Sequence, residues 1–338
     1  MNKKCKKLMT RKGACTCFII FIAIYFIFRT GVYLNNERRV VSMFNYPPKS
    51  LWIFNGKSYQ PSTLWNFHNK SVFAVTLVRN KARFLKEWVD FHLKQGIDFI
   101  FIYTHNASDV ETELVLMSYI KSKTVALIDA ERAFPELCSQ NYPRVEHWFA
   151  WCQCEVFNQA LHVLRISLPR HDRNKWLAVF DVDEFIYGHS KCLHKTLTED
   201  IPQHIDSVQV QGYSFGTSGF ENNSQFENIV DTHFKRSGVD LDLKSISRVW
   251  NINIEYTGVH LPHCIIFFLC EYMVLPVVNP YIHLNHYQYI SMEEHRQKIV
   301  MNANNHYREV YKDIRHQNEL NSVFDNAILN ASLAAHTC

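Results

Sequence analysis

The sequence has 338 residues, of which 47% are hydrophobic and 14% aromatic, enough to form the buried core of one large domain. Six of its 36 lysines and arginines lie in the first twelve residues, which leaves 30 basic against 32 acidic residues elsewhere. Disorder is therefore not expected, and the near-neutral body argues against nucleic-acid binding, which requires a basic face.

The first predicted element is a membrane anchor. Residues 14–28 are uncharged and almost wholly apolar, and the apolar character resumes at residues 31–34. This run reaches the ~20 residues that span a bilayer if Arg29 extends to the interface. A cleaved signal peptide is the alternative, but the residues after Phe28 offer a poor cleavage site. We therefore expect a basic cytosolic tail at residues 1–13 and a signal anchor at residues 14–34.

The positive-inside rule then keeps the tail in the cytosol and places everything after the anchor in the lumen. A short span suits early secretory membranes, so we expect a single-pass type II Golgi membrane protein. Four glycosylation sequons beyond the anchor agree with a lumenal location. Their acceptors are Asn69, Asn106, Asn222 and Asn330.

Three of the ten cysteines, Cys5, Cys15 and Cys17, lie in the tail or anchor, where palmitoylation and apolar packing are both possible. The other seven lack paired C-x-x-C zinc spacing, which favours disulfides with one thiol left over. The pairing cannot be read from the sequence. These seven are Cys138, Cys152, Cys154, Cys192, Cys264, Cys270 and Cys338.

After a proline-containing stem at residues 35–70, strand-like and helix-like segments alternate. Strands are predicted at residues 72–78, 98–103, 124–128 and 175–180, and helices at 82–95, 110–120 and 146–164. Shorter strands are predicted at residues 207–213, 229–234 and 246–251, and a last helix at 291–305. This order predicts an α/β domain at residues 71–310, with a mainly parallel twisted sheet flanked by helices and a C-terminal extension at residues 311–338.

An acidic cluster follows the strand at residues 175–180. Asp181, Asp183 and Glu184 lie where a parallel sheet binds its ligands, and carboxylate oxygens suit a hard divalent cation that also binds phosphates. A solvated acidic turn is the simpler interpretation of an isolated D-x-D. A glycosidase pair is disfavoured because its carboxyl groups stand ~5–10 Å apart on either side of a sugar.

Several motifs in order resemble glycosyltransferase family 92. They include residues 78–92 (VRNKARFLKEWVDFH), 176–185 (WLAVFDVDEF), 215–219 (FGTSG), 244–248 (KSISR) and 284–287 (LNHY). The resemblance covers about residues 71–305. It implies a GT-A fold, Mn²⁺ or a similar ion, and an inverting transfer, most often of galactose from UDP-galactose to a glycan acceptor.

On this resemblance Asp183 is expected to bind the metal directly, and Asp181 to bind it through water or to bind the ribose. His286 either completes the metal shell or is a core histidine. Arg79, Lys244 and Arg248 are candidate contacts to the nucleotide sugar, with a surface salt bridge as the alternative for Arg79. An inverting transfer also requires a base to deprotonate the acceptor hydroxyl. The candidates are Asp231, Glu221, Glu184 and His260.

A competing hypothesis is a catalytically silent lumenal glycan-binding protein on the same fold, which the intact D-x-D argues against. A membrane-anchored hydrolase is disfavoured because the chain has no G-x-S-x-G or H-E-x-x-H signature. The segment at residues 220–226 departs from the basic stretch expected after Gly219, so the acceptor stays open.

Overall fold

A computed structural model describes residues 52–54, 57–59, 65–105, 110–138, 148–169, 172–251, 254–256, 262–264, 270–276, 278–301, 321–334 and 338. The predicted tail, the predicted anchor and most of the predicted stem lie outside the described residues, as do Asn106 and His260. Within the described part of the chain, no helix combines the length and the apolar character that crossing a membrane requires.

The first half of the domain alternates strands with helices, and each predicted element of this half is present with its ends within about three residues. Its elements are β1 (Trp52–Phe54), β2 (Lys57–Tyr59), β3 (Val72–Val78), α1 (Ala82–Lys94), β4 (Phe99–Thr104), α2 (Val110–Lys121), β5 (Val125–Asp129), α3 (Ala130–Ala133), α4 (Pro135–Cys138), α5 (Trp148–Ser167) and β6 (Trp176–Val179).

The second half is richer in strands than in helices. Its elements are β7 (Glu184–Gly188), α6 (Leu193–Lys195), β8 (Ser207–Phe215), β9 (Lys235–Arg248), β10 (Ile254–Tyr256), β11 (Pro262–Cys264), β12 (Tyr272–Leu275), β13 (Ile282–His286), α7 (Met292–Met301), β14 (Val323–Phe324) and α8 (Ala327–Ala334).

The predicted strand at residues 229–234 is wrong, because this apolar segment forms turns. Ile229 and Val230 are buried against the core, and their backbone N–H groups donate to the Glu87 carboxylate at 2.7 and 2.8 Å. A side chain thus replaces the strand partner that the hydrophobic pattern had indicated.

The main sheet has ten strands, and eight of them run in the order β5-β4-β3-β6-β9-β8-β13-β7. Strands β5, β4, β3 and β6 are parallel, as predicted. The prediction of a mainly parallel sheet fails beyond β6, because β9 runs antiparallel to both β6 and β8. At the far edge, β13 is parallel to β8 and antiparallel to β7. The fold is therefore a mixed α/β fold.

Two hydrophobic cores cover the two faces of the sheet. Alternate residues of β3 point to opposite faces, so Val72 and Ala74 pack in the core that contains α1, whereas Phe73 and Val75 pack in the core that contains α5. All seven residues of β3 are buried, as expected for a strand covered by helices on both sides.

The chain beyond the predicted domain boundary at residue 310 packs onto the same body. Ile328 of α8 is fully buried in the core that contains α1, and Asp325 forms an ion pair with Arg236 of β9 at 2.5 Å. Cys338 forms a disulfide with Cys192, and Cys138 forms one with Cys152. The expectation of disulfides is confirmed, and Cys154 is a buried free thiol.

Candidate active site

The acidic cluster forms a tight turn between β6 and β7. The Glu184 N–H donates to the Asp181 carbonyl at 3.1 Å, and the Asp181 N–H donates to Glu184 Oε2 at 2.9 Å. Val182 is buried, which fixes the turn to the core. Because the turn lies at the carboxyl end of β6, its carboxylates are at the edge of the sheet where α/β folds bind ligands.

Lys244 of β9 lies beneath this turn. Its Nζ is 2.8 Å from Asp181 Oδ2 and 2.9 Å from Glu184 Oε1, and only 2% of its side chain is exposed. Burial lowers the pKa of Lys244, but the two carboxylates outweigh burial and raise its pKa above the ordinary value. The lysine is therefore a buried cation in an internal ion pair, and its predicted contact with a nucleotide sugar stays a prediction.

Glu184 is the most deeply buried carboxylate of the turn, with a fully buried side chain. Burial raises its pKa, and the charge on Lys244 opposes that rise. One oxygen accepts a backbone hydrogen bond and the other contacts Lys244, so an acceptor sugar has no route to this carboxylate. This placement removes the physical basis for Glu184 as the base that deprotonates the acceptor.

Two further side chains hold the turn, and neither was predicted as a site residue. Gln153 of α5 donates through Nε2 to Asp181 Oδ1 at 3.0 Å. Trp88 of α1 donates through Nε1 to the backbone carbonyls of Asp181 and Glu184, at 3.1 and 2.9 Å. Asp181 thus accepts a hydrogen bond on each carboxylate oxygen, from Gln153 and from Lys244.

Asp183 faces a different neighbour, His286 at the end of β13. Their Oδ1 and Nε2 atoms are 3.8 Å apart, and 14% and 16% of the two side chains are exposed. The strand register pairs His286 with Glu184, and the Tyr287 N–H donates to the Asp183 carbonyl at 2.7 Å. The other ring nitrogen of His286, Nδ1, is 3.8 Å from Glu184 Oε1.

The separation of Asp183 and His286 fits a shared divalent cation. Two donor atoms each ~2.1 Å from one ion are about 3.0 Å apart when they subtend a right angle and about 4.2 Å apart when they are opposite. The observed 3.8 Å lies between these limits. Asp183 and His286 would therefore offer one oxygen and one nitrogen ligand to a divalent ion, and other positions would be taken by water and phosphate oxygens.

The predicted three-residue ligand set of Asp181, Asp183 and His286 does not form. No group of three or more His, Cys, Asp or Glu side chains is arranged to hold a metal ion among the residues that the structure describes. The physical reason is that both carboxylate oxygens of Asp181 accept hydrogen bonds from protein side chains.

Arg79 follows β3, the parallel neighbour of β6, so both strands end at the same edge. Its Nε is buried and has no hydrogen-bond partner within the described ranges. His105, at the end of β4, is fully buried beside it, and burial lowers the pKa of the His105 ring, with the charge on Arg79 acting in the same direction. Arg79 and His105 thus place polar groups at the carboxyl ends of β3 and β4, at the same edge of the sheet as the acidic turn after β6.

Other predicted site residues lie elsewhere. Arg248 is the last residue of β9 and pairs with Trp176 at the amino end of β6, about 13 Å along the strand from Lys244. Its guanidinium donates to the carbonyls of Ile205, Arg173 and Pro202 and lies over the Trp176 ring at 4.0 Å. It therefore supports the loops at the far edge of the sheet rather than the acidic turn.

The two acceptor-side carboxylates, Asp231 and Glu221, lie on the irregular segment between β8 and β9, and both are exposed. Asp231 accepts a hydrogen bond from Asn228 at 3.0 Å, and Glu221 pairs with Arg296 at 3.2 Å. Of the sequon residues, Asn69 and Asn222 are exposed, and the side chain of Asn330 is outside the described part.

The fold and the site together define an α/β protein with a candidate half-site for a divalent cation at the carboxyl end of a central strand. Residues 71–325 match the sequence model of glycosyltransferase family 92. The chain belongs to glycosyltransferase family 92.

Similar proteins carry the same family name. They include glycosyltransferase family 92 proteins of Ricinus communis, 29% identical over 156 residues, of Oryza sativa subsp. japonica, 23% over 146 residues, and of Arabidopsis thaliana, 27% over 155 residues. Each alignment covers 43% of this chain but only 23%, 21% and 23% of the respective relative. The chain thus spans less than a quarter of the length of the curated relatives that it matches.

Among solved structures, the crystal structure of mannosyl-3-phosphoglycerate synthase from Rubrobacter xylanophilus is similar to this chain with a TM-score of 0.32 and 11% identity, covering 74% of this chain and 76% of that chain. A likeness at that level bears on neither substrate nor mechanism.

Proposed function

We propose that the chain is an inverting, metal-dependent glycosyltransferase that transfers galactose from UDP-galactose to a glycan acceptor in the Golgi lumen. The observation that carries the proposal is the pairing of Asp183 with His286, 3.8 Å apart at the carboxyl end of β6, in a chain of glycosyltransferase family 92. A GT-A fold, Mn²⁺ and a type II membrane anchor belong to the same proposal.

A divalent cation held by Asp183 and His286 would neutralise negative charge on the diphosphate of the donor as it departs. The chain's own residues do the rest of the work. Trp88, Gln153 and Lys244 fix the turn, so Asp183 is already placed before the donor binds. Arg79, whose buried Nε has no partner within the described ranges, lies at the same edge and suits an anionic or nucleotide group.

The base for the acceptor hydroxyl is assigned to the segment between β8 and β9. Asp231 is exposed, and the preceding residue, Val230, is anchored through its N–H to Glu87 at 2.8 Å. Glu221, also exposed, is held in an ion pair with Arg296. We therefore place Asp231 ahead of Glu221 as the base, because a charge pair reduces the basicity of a carboxylate.

The test is a donor screen that measures UDP release from each UDP-sugar, with and without Mn²⁺ and with a glycan acceptor mixture. We expect UDP-galactose with Mn²⁺ to give the highest rate, and Asp183→Asn to reduce that rate by at least about 100-fold. Lys94→Ala serves as the control, because Lys94 is exposed at the end of α1. Equal rates in Asp183→Asn and the unaltered chain would rule the site assignment out.

A further inference from the structure

The acidic turn places three carboxylates within four residues, and one lysine lies against two of them. Asp181 Oδ2 and Glu184 Oε1 are 2.8 and 2.9 Å from the same atom, Lys244 Nζ. Two carboxylate oxygens that converge on one point also form the geometry that a cation would bridge. The ammonium group of Lys244 therefore occupies a position that a divalent ion would otherwise compete for.

The remaining contacts separate Asp181 from Asp183. Asp181 has its second oxygen bonded to Gln153 at 3.0 Å, whereas the Asp183 carboxylate lies 3.8 Å from the His286 ring. Glu184 is fully buried, whereas 32% of the Asp181 side chain and 14% of the Asp183 side chain are exposed, so the division rests on these contacts and not on burial. The turn thus has two carboxylates held by Lys244, called the inner carboxylates below, and a third, that of Asp183, which lies beside His286.

We propose that Lys244 is a positioning residue that blocks cation binding at Asp181 and Glu184 and so confines the divalent cation to Asp183 and His286. The inference rests on the proposed function, because it concerns the cation of that same site. A blocking role for Lys244 and a merely structural role predict opposite changes in cation binding. Loss of a structural lysine would weaken cation binding, whereas loss of a blocking cation would strengthen it.

The charges give the direction of the effect. Asp181 and Glu184 lie 2.8 and 2.9 Å from the ammonium group of Lys244, whose positive charge opposes the approach of another cation. Lys244→Ala removes that positive charge and leaves room for an ion between the two inner carboxylates. We expect its affinity for Mn²⁺ to rise by about tenfold or more, with a second ion bound, while kcat falls because an ion at the inner position does not meet the donor diphosphate.

The experiment measures Mn²⁺ binding by isothermal titration calorimetry on the purified full-length chain without donor. Lys94→Ala is the matched control, because Lys94 is exposed and its loss changes the net charge equally. Lys244→Ala with Glu184→Gln restores the local charge, and its Mn²⁺ affinity is expected to fall back to within about threefold of the unaltered chain. This double variant also avoids a buried unpaired carboxylate pair.

A second comparison keeps the inference testable if Lys244→Ala does not fold. Asp181→Asn is expected to change Mn²⁺ affinity by less than about threefold, whereas Asp183→Asn is expected to weaken it by about 100-fold or more. Unchanged or weaker Mn²⁺ binding by folded Lys244→Ala, or equal losses in the two Asn variants, would overturn the inference and leave the proposed function standing. Absence of Mn²⁺ binding by the unaltered chain would overturn the inference together with the proposed metal dependence.

Discussion

Trp88 connects helix α1 to the acidic turn through a single N–H group. Its Nε1 serves two backbone carbonyls, those of Asp181 and Glu184, and its ring is fully buried. Trp88→Phe preserves most of the ring volume but leaves both acceptors without this donor. We expect a loss of about 1–3 kcal/mol in the free energy of unfolding, measured by chemical denaturation.

Trp250→Phe is the matched control for that prediction. The Trp250 Nε1 is also buried, but it has no hydrogen-bond partner within the described part of the chain. Removing an N–H group without a partner should cost little beyond the change in ring size. Equal losses in the two variants would show that the Trp88 hydrogen bond contributes nothing to stability.

Gly96 ends helix α1 with a backbone conformation that few other residues adopt. Its φ is +82°, and an added Cβ would lie 2.5 Å from His194 Cβ and 2.6 Å from Cys338 Sγ. Gly219 has a similar φ of +97°, but an added Cβ there would meet nothing within 4 Å. We expect Gly219→Ala to cost about 1 kcal/mol from backbone strain alone, and Gly96→Ala at least twice that. Thermal melting of the two variants checks this, and equal melting temperatures would contradict it.

At the scale of the element, α1 covers the exposed edge of the sheet. Strand β7 is the last strand in the order and pairs only with β13 among the described strands. Two side chains of α1 and that of Gln95, which follows the helix, reach its backbone. Trp88 donates to the Glu184 carbonyl, His92 Nε2 accepts from the Ile186 N–H at 3.2 Å, and Gln95 Oε1 accepts from the Gly188 N–H at 3.3 Å. The helix and Gln95 thus supply the polar contacts that a neighbouring strand would have made with β7, which protects this edge from pairing with another chain.

This contact fixes the protonation state of His92. Its Nδ1 lies 2.8 Å from the Trp88 carbonyl and acts as the donor, so Nε2 must be unprotonated to accept from Ile186. Burial lowers the pKa of His92 to about 3. Between pH 6.5 and 3 the unfolded chain therefore binds a proton that the folded chain does not, so the free energy of unfolding falls as the pH falls below 6.5.

The resulting prediction concerns acid stability. For His92 the loss between pH 7 and pH 5 is about 2 kcal/mol, which follows from an unfolded pKa of ~6.5. We expect His92→Gln, although less stable at pH 7, to lose about 2 kcal/mol less than the unaltered chain over this range. Guanidinium denaturation at both pH values is the measurement. An unaltered pH dependence in the variant would disprove the assignment.

Some strands of the sheet were predictable from the sequence and others were not. Buried parallel strands such as β3 and β6 were predictable, because their continuous apolar runs alternate with amphipathic helices. Strand β7 was not, because it begins at Glu184, inside the acidic cluster, and its pairing with β13 is set by residues about a hundred positions away. The wrong strand at residues 229–234 has the opposite cause, since apolar residues there are buried by a carboxylate contact rather than by a sheet.

The candidate site was predictable in its residues but not in their contacts. Asp183 and His286 carry motif signals, and the structure brings them together. The ion pairs of Lys244 could not be read from its motif, because a lysine that binds phosphate and one that holds a carboxylate look alike in sequence. Gln153 lies in a long helix without any pattern that distinguishes it, so no sequence signal would have found it.

At the scale of the whole molecule, the Cys192–Cys338 disulfide joins residues 146 positions apart. Closing a loop of that length restricts the unfolded chain, and the chain-entropy model gives about 5 kcal/mol of stabilisation. Replacing both cysteines with serine should lower the free energy of unfolding by an amount of this order. Chemical denaturation is the measurement, and replacement of Cys154, a free thiol, is the control. A loss below about 1 kcal/mol would refute the prediction.

The contacts of the acidic turn also have a consequence for how the chain folds. The turn itself is local, but Gln153, Lys244 and Trp88 reach it across 28, 63 and 96 residues. Contacts of such high sequence separation require large loops to close, which slows folding. Refolding should therefore restore helical circular dichroism before it restores cation binding, and the interval between the two signals would measure the time that β9 and α1 need to dock around the turn.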